Sequence, residues 1–238
     1  MKGQDLVKKY QAIWNEYAET SINNSTSTNE DYLLDRGFVF QFDENQSDID
    51  ILFVGINPSY GGDKSEGLFY SKKDVESLSY FRPFNNIINE LDNKRTGVKK
   101  LTWSHLDMLV FRETQQSFIK NKLLKTEEGI QFINKQLIIS KQILEYLNPK
   151  IMVVSNTAAR HFLGRDKYEK KGKEFGFWMG YDFEFDYNLG TDKIINNHKI
   201  NPYVFFSSML SGQRALDNGS KQRLIWHIDN VLNKITKT

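Results

Sequence analysis

Four short apolar runs constrain this chain more than any other feature. They are Ile51-Leu52-Phe53-Val54, Leu106-Asp107-Met108-Leu109-Val110-Phe111, Ile151-Met152-Val153-Val154 and Tyr203-Val204-Phe205-Phe206. They show almost no polar alternation, so each is predicted to be a strand covered on both faces, as in a parallel sheet. Helical periods fall between and around them. Leu6, Tyr10, Ile13, Trp14 and Tyr17 predict an opening helix over 4–19, and Phe84, Ile87, Ile88 and Leu91 a helix starting near Pro83. Ile130, Ile133, Leu137, Leu144 and Leu147 predict a long helix capped near Thr126. Asn156 is placed to cap a short helix carrying Ala159, Phe162 and Leu163. Leu224, Ile225, Ile228, Val231, Leu232 and Ile235 make an amphipathic closing helix. Aromatic and acidic residues alternate strictly over Tyr181–Tyr187, which predicts a half-exposed edge strand or hairpin before the last core strand. The pattern implies one α/β domain over residues 1–238, with 1–45 as an N-terminal helix and loop extension. Its expected architecture is a three-layer αβα sandwich with a central, mostly parallel four-stranded sheet plus an edge hairpin. In such folds ligands sit beyond the carboxyl ends of the strands.

Composition narrows the chemistry. The 238 residues include no cysteine, which excludes disulfides, thiolate metal sites and cysteine nucleophiles. No run approaches a membrane span, and Met1-Lys2-Gly3-Gln4-Asp5 lacks an apolar signal region, so a cytoplasmic location is expected. The four histidines, His105, His161, His198 and His227, lack metal-ligand spacing, and no phosphate-binding glycine loop or nucleophile elbow occurs. Of these, His105 precedes Asp107 on a strand end and is the one placed to reach a cleft. Net charge is +2, from 32 basic and 30 acidic residues. The basic loops Lys94-Arg95…Lys99-Lys100 and Arg165…Lys173 are either solvated faces or phosphate contacts.

The strand Ile51–Val54 runs into Gly55-Ile56-Asn57-Pro58-Ser59-Tyr60-Gly61-Gly62. Gly55 permits close approach at the strand end, and Pro58 stiffens the turn. Asn57 then either projects into the cleft, to orient a water or bond a base, or closes a structural Asx turn.

This loop resembles the first motif of the uracil-DNA glycosylase superfamily, in the form found in its mismatch-specific and thymine-DNA glycosylase branch. Three further segments match in order. Gly67-Leu68-Phe69-Tyr70-Ser71 is similar to the segment whose aromatic stacks on the extruded base, with Tyr70 at the matching position and Phe69 beside it. Leu106-Asp107-Met108-Leu109 resembles the strand whose Asn reads uracil, with Asp107 in place of the Asn. Phe205-Phe206-Ser207-Ser208-Met209-Leu210-Ser211-Gly212-Gln213-Arg214 resembles the loop that enters the minor groove, with Phe206 where the uracil-excising branch has its His. Asn148-Pro149-Lys150 before the third run completes the order, so the likeness covers roughly residues 50–235.

The resemblance implies a DNA base-excision glycosylase needing neither metal nor cofactor and working as a monomer on double-stranded DNA with a damaged or mispaired base. Asn57 would place the attacking water. Gly55, Ile56, Pro58, Tyr70, Phe69 and Asp107 would hold the base. Ser59, Ser207, Ser208, Leu210, Ser211 and Arg214 would contact DNA, Leu210 as the wedge. An ionised Asp107 only accepts hydrogen bonds, so it disfavours ordinary uracil and leaves room for a base with an exocyclic amine. Two other classes stay open: a non-catalytic base-binding module of the same fold, and a small-molecule enzyme using the strand-end cleft.

Overall fold

The computed structural model describes residues 1–24, 31–62, 65–70, 78–165, 168–170, 173–175, 178–210 and 215–236. In chain order the elements are α1 (Gly3–Asn24), α2 (Asp31–Asp35), β1 (Gly37–Gln41), β2 (Ile51–Gly55), β3 (Ser65–Tyr70), α3 (Arg82–Lys94) and β4 (Trp103–Asp107). Then come α4 (Gln116–Asn121), α5 (Glu127–Leu147), β5 (Ile151–Val154), α6 (Thr157–Leu163), β6 (Tyr168–Lys170), β7 (Lys173–Phe175), β8 (Phe183–Asp186), β9 (Thr191–Ile194), β10 (Tyr203–Phe206) and α7 (Asn218–Ile235). Single 3-10 turns precede α3 at Ser79–Phe81 and α5 at Leu123–Lys125.

The main sheet has the order β4-β2-β5-β10-β9-β8. β4, β2, β5 and β10 are mutually parallel, and β9 and β8 add antiparallel at one edge. This is the expected four-stranded parallel core extended to six strands by the acidic hairpin. The strands are buried on both sides because successive residues feed two separate cores. Leu52, Val54, Met152, Val154 and Val204 join the core under α1, α5 and α6. Ile51, Phe53, Ile151, Val153 and Phe205 join the core under α3 and α7. The caps read from sequence are present. Thr126 accepts from Gly129 N at the start of α5, and Asn156 accepts from Ala158 N at the start of α6.

Two expectations are corrected. The second apolar run does not form one strand, since β4 ends at Asp107. Met108–Phe111 continues as fully buried loop, possible because α5 satisfies its backbone. Gln136 Oε1 accepts from Val110 N at 3.0 Å, and Ser140 Oγ donates to Met108 O at 2.7 Å. The N-terminal extension is not all helix and loop either. Gly37–Gln41 forms β1, which pairs in parallel with β3 and bridges Phe38 to Phe111.

From β2 the chain crosses one face through α3 to reach β4. From β4 it crosses the other face through α5 to reach β5. The connections diverge between the carboxyl ends of β2 and β4, which is where a cleft opens in such sheets.

Gly129 holds the start of α5 against the preceding turn, since a Cβ there would sit 2.2 Å from Leu123 O. Gly129→Ala is therefore expected to lower stability by ~1–3 kcal/mol in urea unfolding. A gain, as at an open helical glycine, would contradict the packing described.

Candidate functional site

The cleft at the ends of β2 and β4 has a volume of about 210 Å³ and is lined by Val39, Phe40, Gln41, Pro58, Ser59, Leu78, Ser79, Tyr80, Phe81, His105, Asp107 and Arg112. A larger groove of about 370 Å³ lies between α1 and α5, bordered by Glu16, Glu127, Glu128 and Lys135. It shares no lining residue with the cleft at the strand ends.

Asp107 anchors the cleft. It stands opposite Gly55 in the β2–β4 register. Its Oδ1 would lie 2.2 Å from a Cβ built on Gly55, so the carboxyl occupies the space that glycine leaves free. Oδ1 is buried and has no hydrogen-bond partner among the described residues. Neither the neighbouring backbone nor Arg112 gives Oδ1 a hydrogen bond among the described residues. Oδ2 is not among the sealed, partnerless atoms, and the side chain is 10% exposed, so Oδ2 is the oxygen the cleft can reach. Burial pushes the carboxyl up from its ordinary 3.8 to about 7.

His105 is 2% exposed, and burial pushes it down from 6.5 to about 3, so the ring is neutral at pH 7. Its Nδ1 lies 3.9 Å from Asp107 Oδ2, which is too long for a hydrogen bond and, with a neutral ring, is no ion pair. The rings of Tyr80, Phe81 and Phe84 surround His105 with centroids 5.2–5.6 Å away. Tyr80 keeps 42% of its surface exposed beside the cleft, while burial of its hydroxyl, with the Asp107 charge adding to the effect, pushes that group well above its usual range.

Asn57 does not project into the cleft as expected. Its Nδ2 donates to Glu113 O at 2.6 Å and Pro58 O at 2.9 Å, with a marginal contact to Phe111 O at 3.5 Å. It clips the loop after β2 to the loop after β4. The backbone supports the same seam: Leu109 N donates to Ile56 O and Glu113 N to Pro58 O. A buried pair, Arg36–Glu113 at 2.7 Å, braces it from α2's end, and Arg36 and Arg112 both stack on Tyr60. With the amide nitrogen committed, Oδ1 is the remaining polar atom of Asn57.

The other expected residues are distributed unevenly. Pro58 and Ser59 line the cleft, whereas Gly55 and Ile56 do not: Gly55 backs the Asp107 carboxyl and Ile56 sits in the seam with Leu109. Phe69 and Tyr70 close β3, with Tyr70 in register with Gln41; their side chains lie outside the described residues. Ser207 and Ser208 follow β10, and Leu210 is half-buried against the core under α3 and α7 rather than free. None of these three lines the cleft. Ser211 and Arg214 lie outside the described residues. The basic loop 94–100 precedes β4, at the opposite end of the sheet, where Arg95 contacts Asn233 and Asp229. It cannot serve this cleft.

Sequence reasoning missed Gln41 and Tyr80. Phe38-Val39-Phe40 after Gly37 was a strand signal leading to Gln41, and Ser79-Tyr80-Phe81 sat just before Pro83. Among the described residues no group of three or more metal-ligating side chains converges, and no helix is long and apolar enough to cross a membrane. No family model and no curated protein sequence matches this chain.

The Asp107 carboxyl carries a pH prediction. An unfolded aspartate releases its proton near 4, whereas the folded one keeps it to about pH 7. The folded state therefore holds the extra proton across that window, and stability falls as pH rises through it. Asp107→Asn abolishes this loss, so relative to wild type it gains on the order of 2–4 kcal/mol between pH 5 and pH 8. His105 contributes an opposite slope below 6.5 that both proteins share, so the difference isolates Asp107. Urea unfolding of both proteins at the two pH values checks it. Equal pH slopes would mean that the carboxyl titrates normally.

Proposed function

We propose that this chain is a glycosylase-like, base-reading protein. It takes one extruded base, damaged or mispaired, from double-stranded DNA into the cleft between β2 and β4, for hydrolysis of the N-glycosidic bond. The observation that supports this is Asp107: a carboxyl sealed against Gly55 on one oxygen and open to the cleft on the other, at the divergence of the strand connections. A desolvated carboxyl flanked by aromatic surface suits a planar, hydrogen-bonding heterocycle far better than a phosphate or an aliphatic substrate. The cleft's volume suits a single ring system rather than a dinucleotide. Tyr80 offers an exposed aromatic face, and Ser59 and Arg112 add a hydroxyl and a guanidinium for the sugar-phosphate.

Hydrolysis would run through bond cleavage with oxocarbenium character and attack by water. Asn57 is not among the cleft's lining residues and its Nδ2 is bound to backbone carbonyls, so only its Oδ1 is left to meet that water from the seam. That commitment favours a second reading, a binding module that captures the base without releasing it.

Duplexes carrying one uracil, hypoxanthine or xanthine, or a G·T mispair, separate the two. The enzyme reading predicts base release that falls about 100-fold or more in Asn57→Ala, with binding weakened as well because the amide clips the two loops of the cleft together. The module reading predicts lesion-selective binding without release, weakened ~10–100-fold by Asp107→Ala. Neither release nor selective binding would overturn the base-reading proposal and leave the cleft to a small molecule.

A further inference from the structure

Asp107 by itself reads only half of a base edge. When ionised it accepts, and a carbonyl beside the N–H it binds would face like charge. A donor has to stand next to it for such an edge to be held.

Gln41 supplies one. It closes β1, is 7% exposed and lines the same cleft as Asp107. The backbone N–H of His105 donates to its Oε1 at 2.9 Å, and Ser104 Oγ donates to the same atom at 2.8 Å. A backbone N–H can only donate, so the atom it meets is the amide oxygen, and the orientation of the side chain is fixed. The NH2 group is thereby turned away from β4. It makes no hydrogen bond among the described residues and is not one of the sealed, partnerless polar atoms, so it reaches open space. A nearly buried amide whose oxygen is held by two donors, and whose nitrogen is left at a cleft, is a pre-organised donor rather than a solvated side chain.

We propose that Gln41 is a specificity-determining residue: its Nε2–H donates to a ring carbonyl while Asp107 Oδ2 accepts from the adjacent ring N–H. This inference rests on the base-reading proposal and adds the partner that Asp107 lacks. It pairs the strongest acceptor of the cleft, the carboxylate, with the most acidic donor of the edge, a ring N–H beside a carbonyl. The ligand class is a keto-bearing heterocycle. An edge with a ring nitrogen beside an exocyclic amine sets a weaker donor against the carboxylate and binds less well.

The test uses the full chain and duplexes with one uracil, one 4-thiouracil or one cytosine at the same position, in a binding titration. Sulfur is a poor acceptor, so wild type should favour uracil over 4-thiouracil by ~10-fold. Gln41→Glu keeps an oxygen for His105 N and Ser104 Oγ but removes the donor, and should bind both duplexes alike. Equal affinity of wild type for uracil and 4-thiouracil overturns the inference without any variant. Unchanged discrimination in Gln41→Glu overturns it while leaving base reading intact, as does a preference for cytosine over uracil. Wild type binding uracil, hypoxanthine, xanthine and G·T duplexes all no better than undamaged duplex, with no base release, overturns both proposals.

Discussion

The carboxyl of Asp107 rests against the backbone of Gly55, in space that any side chain at position 55 would fill. That contact couples the ends of two adjacent parallel strands. It also removes one carboxyl oxygen from water without giving it a partner, and desolvation of this kind lifts the pKa. The other oxygen is left at a cleft whose walls include the rings of Phe40, Tyr80 and Phe81. Through this arrangement the glycine at the end of β2 and the acid at the end of β4 act as one unit. Changing either alters both the packing and the charge of the site.

Around that unit the polar groups divide into those that build the cleft and those that face it. Asn57, Gln136 and Ser140 are builders. They satisfy the buried backbone of residues 108–113, which carries no regular ladder of its own. Ser104 and His105 are builders too, holding the oxygen of Gln41. Among the groups that line the open space are Asp107, the Gln41 amide, Ser59, Arg112 and the Tyr80 ring. An acceptor, a donor, a hydroxyl and an aromatic face fit a flat heterocycle attached to a sugar.

Much of the frame was legible in the sequence because it follows from local rules. Runs without alternation at Ile51–Val54, Ile151–Val154 and Tyr203–Phe206 can only be buried on both faces, and they became β2, β5 and β10. Thr126 and Asn156 announce helix starts through their side-chain oxygens, and both caps are present. The alternating Tyr181–Tyr187 segment became the edge of the sheet. Leu106–Phe111 shows where such rules stop. Its apolarity reported burial correctly, but bonds from the distant Gln136 and Ser140, together with backbone bonds to Gly55, Ile56 and Val39, replace a regular strand ladder in its second half. Asn57 is the same kind of case. Its composition and its turn were readable, while its orientation depends on carbonyls of a loop more than fifty residues away. Gln41 was hidden because its meaning lies in who holds its oxygen.

A titration of the Asp107 carboxyl carbon by NMR, followed from pH 4 to pH 9 in the folded protein without ligand, addresses the account at its root. A midpoint near 7 is predicted, because the oxygen over Gly55 is sealed from solvent and accepts no hydrogen bond among the described residues. A midpoint near 4 would mean that the carboxyl is solvated or bonded, and the cleft described here would lose the group on which its chemistry turns.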